Sequence, residues 1–224
     1  PADGQPLPVF KPGQFITVRR DEESPPSITR NYSLTSRPGQ DHYRISVKRE
    51  AEGAFSPWLH DDFHTGQLLQ VKGPHGGFVV VEQSKRPLVF IAAGIGITPF
   101  ISMIKHHLEL VRRTNRNARS ITLIHAARNT AERAFMEELL TESHGLESGL
   151  RVISLISQPE PHEEQGVHYS LEGRINPEIL QALRGAWGDV VTELSADKDF
   201  ARVWKSYSTF RANYDQWRKM GYMR

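Results

Sequence analysis

The chain contains no cysteine in its 224 residues. Disulfides, thiolate nucleophiles, cysteine-ligated zinc and cysteine-ligated iron–sulfur clusters are therefore excluded. It also lacks an apolar run of the roughly 18 residues that a membrane helix needs, and its N-terminal stretch lacks the basic, apolar and small-residue layout of a secretory signal. A charge excess is missing too: 28 Lys and Arg stand against 26 Asp and Glu, a net of +2. That balance gives no electrostatic reason to expect nucleic acid or a membrane as partner. The expectation is a soluble, cytoplasmic protein whose binding comes from local sites. With 38% hydrophobic residues, the chain has room for two domains of about 100 residues each. It opens in mid-phrase at Pro1-Ala2-Asp3-Gly4, which suggests an upstream strand or domain.

Up to about residue 82, short strand-like stretches alternate with turn residues: Gln14–Arg19, Asn31–Ser36, His42–Lys48, Gln67–Lys72 and Phe78–Glu82. Tyr43, Ile45 and Val47 alternate with polar neighbours, and Arg37-Pro38-Gly39-Gln40 has strong turn chemistry. Such spacing predicts a small antiparallel barrel or sandwich. The pattern changes after Lys85-Arg86. Pro87 to Ala93 is a continuous apolar run, and Ile101, Ile104, Leu108 and Val111 then recur at spacings of three and four, which places them on one helix face. A strand over Ser120–Ala127, a helix from near Thr130 carrying Phe135 and Leu139, and a strand over Leu150–Ser157 complete a βαβαβ unit. Residues 158–173 read as a loop. Asn176-Pro177 reads as a helix start, followed by a stripe from Leu180 to Leu194 and an aromatic-rich helix from Ser195 to Trp217.

Four places carry chemistry. Arg30-Asn31-Tyr32-Ser33 sets a guanidinium and an aromatic ring on one face of an extended stretch and a hydroxyl on the other. That combination suits a phosphate, a stacked ring system and a ring-edge nitrogen, and equally describes an edge strand with a cross-strand tyrosine. Lys48 to His60 contains Gly53-Ala54-Phe55-Ser56-Pro57, where Ser56 and Pro57 would start a short helix and backbone donors would face a phosphate; an ordinary capped turn is the alternative. Gly94-Ile95-Gly96-Ile97-Thr98-Pro99 follows the first parallel strand. Its glycines admit a diphosphate, Thr98 would cap the helix and Pro99 would take the first helical position. Arg128 ends the second parallel strand, where an arginine accepts a 2′-phosphate and an acid would bind a ribose hydroxyl, a pattern that favours NADP over NAD. Gly73 to Phe78 reads as a glycine-rich hairpin turn, and the His60/His64 pair, without a third ligand, reads as surface rather than metal.

In order, Pro12-Gly13-Gln14-Phe15, Arg30-x-Tyr32-Ser33-Leu34, Val47-Lys48-Arg49, Gly53-x-x-Ser56-x-x-Leu59, Gly73-Pro74-x-Gly76-x-Phe78, Gly94-x-Gly96-x-Thr98-Pro99 and His125-Ala126-Ala127-Arg128 resemble the ferredoxin–NADP reductase superfamily. The resemblance is strongest to the reductase halves of flavohemoglobins and related multidomain flavin oxidoreductases, over about residues 1–176. It implies a Greek-key antiparallel β-barrel for FAD over residues 1–84 and an α/β parallel-sheet domain for NADPH or NADH over 85–176. A helical segment would follow over 177–224. It also implies hydride transfer to FAD and onward passage of electrons to a haem or iron–sulfur partner. Arg30 would then hold the flavin phosphates, Tyr32 would pack on the flavin and Ser33 would bond near N5, making Tyr32 and Ser33 the residues nearest the chemistry. Val47, Lys48, Gly53, Ala54, Phe55 and Ser56 would serve FAD, and Gly94, Gly96, Thr98 and Arg128 the nicotinamide nucleotide. The family's last strand, ending in Cys-Gly-Pro, has no counterpart here. Residues 180–224 instead resemble the C-terminal helices of solute-binding proteins of TRAP transporters. The alternative to a reductase is a flavin- or nucleotide-binding module with little turnover, its C-terminal helices forming an interaction surface.

Overall fold

The structure, a computed structural model, describes residues 4–20, 28–80, 86–114 and 119–177. Residues 1–174 form one compact unit and 175–224 a second. The helices expected over 180–217 lie outside the described residues.

The first part is an antiparallel sheet of β1 (Phe15–Arg20), β2 (Ile28–Ser33) and β3 (Gln70–His75), in the order β2-β1-β3. Alternation explains the central strand: Ile16 and Val18 turn inward and are buried, joining Phe10, Leu34 and Phe55 in one core cluster. Between β2 and β3 a six-residue helix, α1 (Ser56–Asp61), packs Trp58 and Leu59 against the same cluster. The second part is a parallel sheet in the order β4-β5-β6-β7, built from Leu88–Ala93, Ile121–Ala127, Leu150–Ile156 and Leu171–Glu172. Helix α2 (Thr98–Thr114) lays Ile101, Ile104, Leu108 and Val111 into the core with Phe90 and Leu123, the face that the sequence spacing predicts. The expected arrangement of an antiparallel sheet unit followed by an α/β parallel sheet is present.

Several elements differ in extent. His42–Lys48 makes a single bridge, Ile45 to Leu34, rather than a strand. There, Thr35 N–H and its hydroxyl both donate to the Arg44 carbonyl, and Ser36 Oγ accepts from the Arg44 N–H. The Thr35 N–H bond belongs to the bridge itself, while the Thr35 and Ser36 hydroxyls add side-chain bonds to the Arg44 carbonyl and N–H at its edge. Described residues of the expected Phe78–Glu82 strand, Phe78 to Val80, join no ladder. The third strand runs three residues later than predicted, so Gly73, Pro74 and His75 are in β3 rather than in a turn. Helix α3 spans Met136–Ser143, not from near Thr130. Residues 129–135 are held as turns because Asn129 Oδ1 accepts the Glu132 N–H and the Glu163 carboxylate takes both the N–H and hydroxyl of Thr130, while Phe135 is left-handed at φ 68°.

The two sheets meet at Gly13. Its N–H donates to Ser102 Oγ on α2 at 2.8 Å, in a buried setting, and its φ of +97° is one that favours glycine. A Cβ there would overlap the Phe78 carbonyl and the Met103 methyl. Gly13→Ala is therefore expected to lower stability by about 3 kcal/mol, combining steric overlap with backbone strain. Gly39→Ala, at φ +80° but with nothing within 4 Å of the added carbon, should cost only about 1 kcal/mol. Urea unfolding of the two variants checks the ranking.

Candidate functional site

On β2, Arg30 pairs across from Val18 and Tyr32 from Ile16, so both lie on the side of β1's inward residues, while Ser33 faces Phe15. Tyr32 is half-buried, its ring 6.1 Å from that of Phe55. Burial pushes its phenol up, against a smaller downward pull from the Arg30 charge. Arg30 is exposed and, among the described residues, its guanidinium is engaged by the neighbouring Thr29 carbonyl at 2.8 Å rather than by a carboxylate. A cation so placed beside a partly sheltered ring fits a diphosphate and a stacked ring system.

Around α1 the sequence-based picture changes. Ser56 is the first helical residue and makes no cap; its Oγ accepts the Glu50 N–H at 3.0 Å. The Gly53 N–H donates to the Glu50 carbonyl at 2.9 Å, and the Ala54 carbonyl is held by Arg20. Phe55 is a core residue at 2% exposure, so its side chain packs and only its backbone is open to a ligand role. Val47 is half-buried and its carbonyl is bonded to His60 Nε2 at 2.8 Å, which gives His60 a structural role. Lys48 is exposed beside Glu50.

At the nucleotide half, Gly94 to Ile97 form a single 3-10 turn running directly into α2. Thr98 thus lies inside the helical run instead of capping it. Pro99 has no N–H to offer the Ile95 carbonyl, and Thr98 supplies that carbonyl with both its own N–H and its hydroxyl, the latter at 3.1 Å. At Gly94 and Gly96 an added Cβ would meet nothing within 4 Å, and Gly96 lacks a positive φ. Neither packing nor conformation accounts for glycine at 96. The open backbone leaves room for a close-approaching group such as a diphosphate.

His125, fully buried on β5, bonds the Gly94 carbonyl through Nε2 at 3.0 Å and so ties the glycine turn to the sheet. An Nε2 that donates leaves Nδ1 as acceptor, and Nδ1 has no hydrogen-bond partner among the described residues. Burial holds its pKa below the usual histidine value, as it does for His107 on α2, whose Nε2 bonds the Ser148 carbonyl. Burial thus favours the neutral form of both in the fold, whereas the unfolded chain takes up protons below about pH 6.5. The stability this contributes is complete above about pH 6.5 and is lost as pH falls through the lower folded values. Urea midpoints should fall from pH 7 to pH 5, and less steeply in a His107→Gln/His125→Gln variant.

Arg128 is exposed just beyond β5 and pairs with Glu132: its Nε donates to Oε2 at 2.9 Å, and its Nη2 lies 2.8 Å from Oε1. Its neighbour Arg133 is half-buried and donates to Ser154 Oγ at 2.9 Å and to the His168 carbonyl at 2.7 Å. A cleft of about 810 Å³ is lined by Arg44, Ser46 and Val47 from the first half and by Ile95, Thr130, Arg133 and Phe135 from the second. Of the sequence-based candidates, the structure places Val47 in this cleft and Gly94, Gly96 and Thr98 next to Ile95 at its rim. Arg30, Tyr32 and Ser33 do not line it. Sequence reasoning misses Arg44, His125 and Arg133 as site residues because their partners lie far away in the chain. The only signal is that His125 and Arg128 share one motif.

Residues 7–80 match the family described as oxidoreductase FAD-binding domain, and residues 85–166 match the ferric reductase NAD binding domain. The chain belongs to the ferredoxin–NADP reductase superfamily, the class in which a flavin half precedes a nicotinamide-nucleotide half. Among curated relatives, the flavohemoprotein of Bacillus subtilis (strain 168) is 36% identical over 184 residues, 82% of this chain and 44% of that protein. The flavohemoprotein of Pseudomonas aeruginosa is 44% identical over 137 residues, 61% of this chain and 33% of that protein. The chain thus spans less than half the length of these relatives. Among solved structures, the flavohem-like FAD/NAD binding domain of nitric oxide dioxygenase from Vibrio cholerae O1 biovar El Tor aligns with a TM-score of 0.64 at 28% identity, over 79% of this chain and 71% of that one. A ferredoxin NADP+ reductase from Neisseria gonorrhoeae with bound FAD and NADP has the same fold, with a TM-score of 0.62 at 22% identity, over 84% and 71% of the two chains. FAD and a nicotinamide nucleotide, the cofactors implied by the sequence, agree with both family matches. No helix among the described residues is long and apolar enough to cross a membrane.

Proposed function

We propose that this chain is the reductase module of a flavin-dependent oxidoreductase, moving hydride from a nicotinamide nucleotide to FAD and electrons onward to a haem or iron–sulfur partner. The observation that carries this reading is that one chain holds both Arg30, Tyr32 and Ser33 together on β2 and an open glycine turn, Gly94–Ile97, at the end of the first parallel strand. Hydride transfer needs two ring systems in contact, and a protein accelerates it chiefly by fixing their distance and orientation. FAD, when bound, supplies a two-electron acceptor that can release its electrons singly. In this reading Arg30 neutralises the flavin diphosphate, Tyr32 shields one ring face and Ser33 offers a hydroxyl toward the ring edge. Backbone at Gly53 to Ser56, with Val47 and Lys48, borders the same cofactor. The open backbone of Gly94 and Gly96 receives the nucleotide diphosphate, and His125 keeps that turn in place through the Gly94 carbonyl.

The corresponding domain limits are 1–84 for the flavin half, 85–176 for the nucleotide half and 177–224 for the C-terminal segment. A haem acceptor draws support from the flavohemoprotein relatives, whose remaining length lies outside the aligned region. A direct test is reduction of cytochrome c, used as a generic one-electron acceptor, by purified protein with NADH. Reduction that requires added FAD supports the reading. FAD binding without any NADH- or NADPH-dependent reduction would instead favour a binding module with little turnover.

A further inference from the structure

Arg20 ends β1 on the face that carries Val18, and Val18 pairs with Arg30 of β2. The two arginines are therefore diagonal neighbours on one face, the face that also carries Tyr32. Arg20 is half-buried and anchored twice. Its guanidinium lies 5.2 Å over the Trp58 ring, and a terminal nitrogen donates to the Ala54 carbonyl at 3.3 Å. Trp58 meets Phe55 at 5.4 Å between ring centroids, and Phe55 meets Tyr32 at 6.1 Å. Arg20, Trp58, Phe55 and Tyr32 thus form a continuous border from the end of β1 back to β2. Two neighbouring cations of this half are committed elsewhere: Lys48 Nζ lies 3.6 Å from Glu50 Oε1, and Arg49 is forked onto Asp61 at 3.3 and 2.7 Å.

We infer that Arg20 is a second arginine of the flavin site, a cation set beside Arg30 for the phosphates of FAD; this rests on the reductase reading above, in which β2 borders that cofactor. A dinucleotide carries a negative charge on each phosphate of its diphosphate, and Arg30 matches one of them. A guanidinium stacks through its flat face and donates along its edge, so resting on Trp58 does not use up the donors that grip a phosphate. Anchoring at Trp58 and Ala54 orders the side chain before the ligand arrives, which lowers the entropic cost of binding. Two cations on one strand face repel each other, and a bound polyanion relieves that repulsion. The contribution is electrostatic and is weakened by salt.

The test is equilibrium binding of FAD to the flavin-free full chain, read by flavin fluorescence at low and at moderate salt. Arg20→Met keeps an apolar side chain on Trp58 and loses the charge, whereas Arg20→Lys keeps the charge. Arg20→Met should weaken FAD binding by about tenfold at low salt and flatten its salt dependence. Arg20→Lys should stay within about threefold of the wild type and retain the wild-type salt dependence. If Arg20 only braces the turn at Ala54, the two substitutions weaken FAD alike and leave the salt dependence unchanged. That result overturns the inference, as does an Arg20→Met affinity within about twofold of the wild type at low salt, or a wild type that does not bind FAD. Because binding is read without turnover, a protein that shows the expected pattern yet never reduces its flavin contradicts the reductase reading alone.

Discussion

Arg30→Ala is expected to weaken FAD binding by roughly 10- to 100-fold, corresponding to about 1.5–3 kcal/mol for charge-assisted bonds to a diphosphate. The side chain contributes little else to the fold, being exposed and bonded to the Thr29 carbonyl next to it in sequence. The same substitution should therefore change unfolding stability by less than about 0.5 kcal/mol. Arg128→Ala, just beyond β5 in the nucleotide half, should leave flavin affinity within about twofold. Flavin fluorescence during equilibrium dilution ranks the two variants. If Arg128→Ala released more flavin than Arg30→Ala, the assignment of the flavin site to β2 would be wrong.

Glu138→Ala is expected to destabilise the chain by about 3 kcal/mol, the lower end of the range for removing one partner of a buried ion pair. Lys105 is the reason, since its side chain on α2 is only 5% exposed. Its Nζ bonds Glu138 Oε1 and lies 3.8 Å from Glu142 Oε1. Glu138 also accepts from Arg44 at 2.5 Å, so one carboxylate on α3 ties α2 to the segment after β2. Glu142 compensates in part, and Glu138 keeps 28% exposure, which is why the low end of the range applies. Lys105→Met/Glu138→Leu should cost much less than Glu138→Ala alone, because neither charge is then left unpaired.

The same pair governs part of the response to acid. Burial by itself would raise the Glu138 carboxyl, but the hydrogen bonds and charges of Arg44 and Lys105 outweigh it and hold the group below the ordinary glutamate range. A depressed folded value means that stability is present above the unfolded pKa of about 4.3 and is lost as pH falls through the folded one. Acid unfolding should consequently be shallower in the Lys105→Met/Glu138→Leu variant. Together with His107 and His125, which act between about pH 6.5 and their lower folded values, two separate windows of acid sensitivity are expected.

How much of this is legible in the sequence depends on the range of the interactions. The run Leu88 to Ala93 and the stripe Ile101, Ile104, Leu108 and Val111 announce a buried strand and its helix, because periodicity is a local property. Helix α3 starts later than its sequence suggests because Glu163, more than 30 residues away, holds Thr130. The strand expected at His42–Lys48 is cut to the single bridge Ile45 to Leu34, where the hydroxyls of Thr35 and Ser36 bond the Arg44 backbone. Thr98 and Ser56 both look like caps by residue type, yet each hydroxyl serves a different backbone group.

The candidate site divides along the same line. Gly94 and Gly96 are readable because glycine at a strand-to-helix turn is informative wherever it occurs. Arg128 is readable by position, but its pairing with Glu132 depends on the turn over 129–135, where Asn129 Oδ1 accepts the Glu132 N–H. Lys105 carries a signal of its own: it follows Ile101 by one helical turn and so shares the buried face. A charge on an apolar stripe asks for a partner, which α3 supplies.

If FAD and a nicotinamide nucleotide meet within this one chain, anaerobic addition of one equivalent of NADH to the FAD-loaded protein shows it most directly. The flavin absorption should bleach in proportion to the NADH added and return on admission of oxygen. A protein that retains its flavin in the oxidised state through an excess of both NADH and NADPH would contradict that meeting.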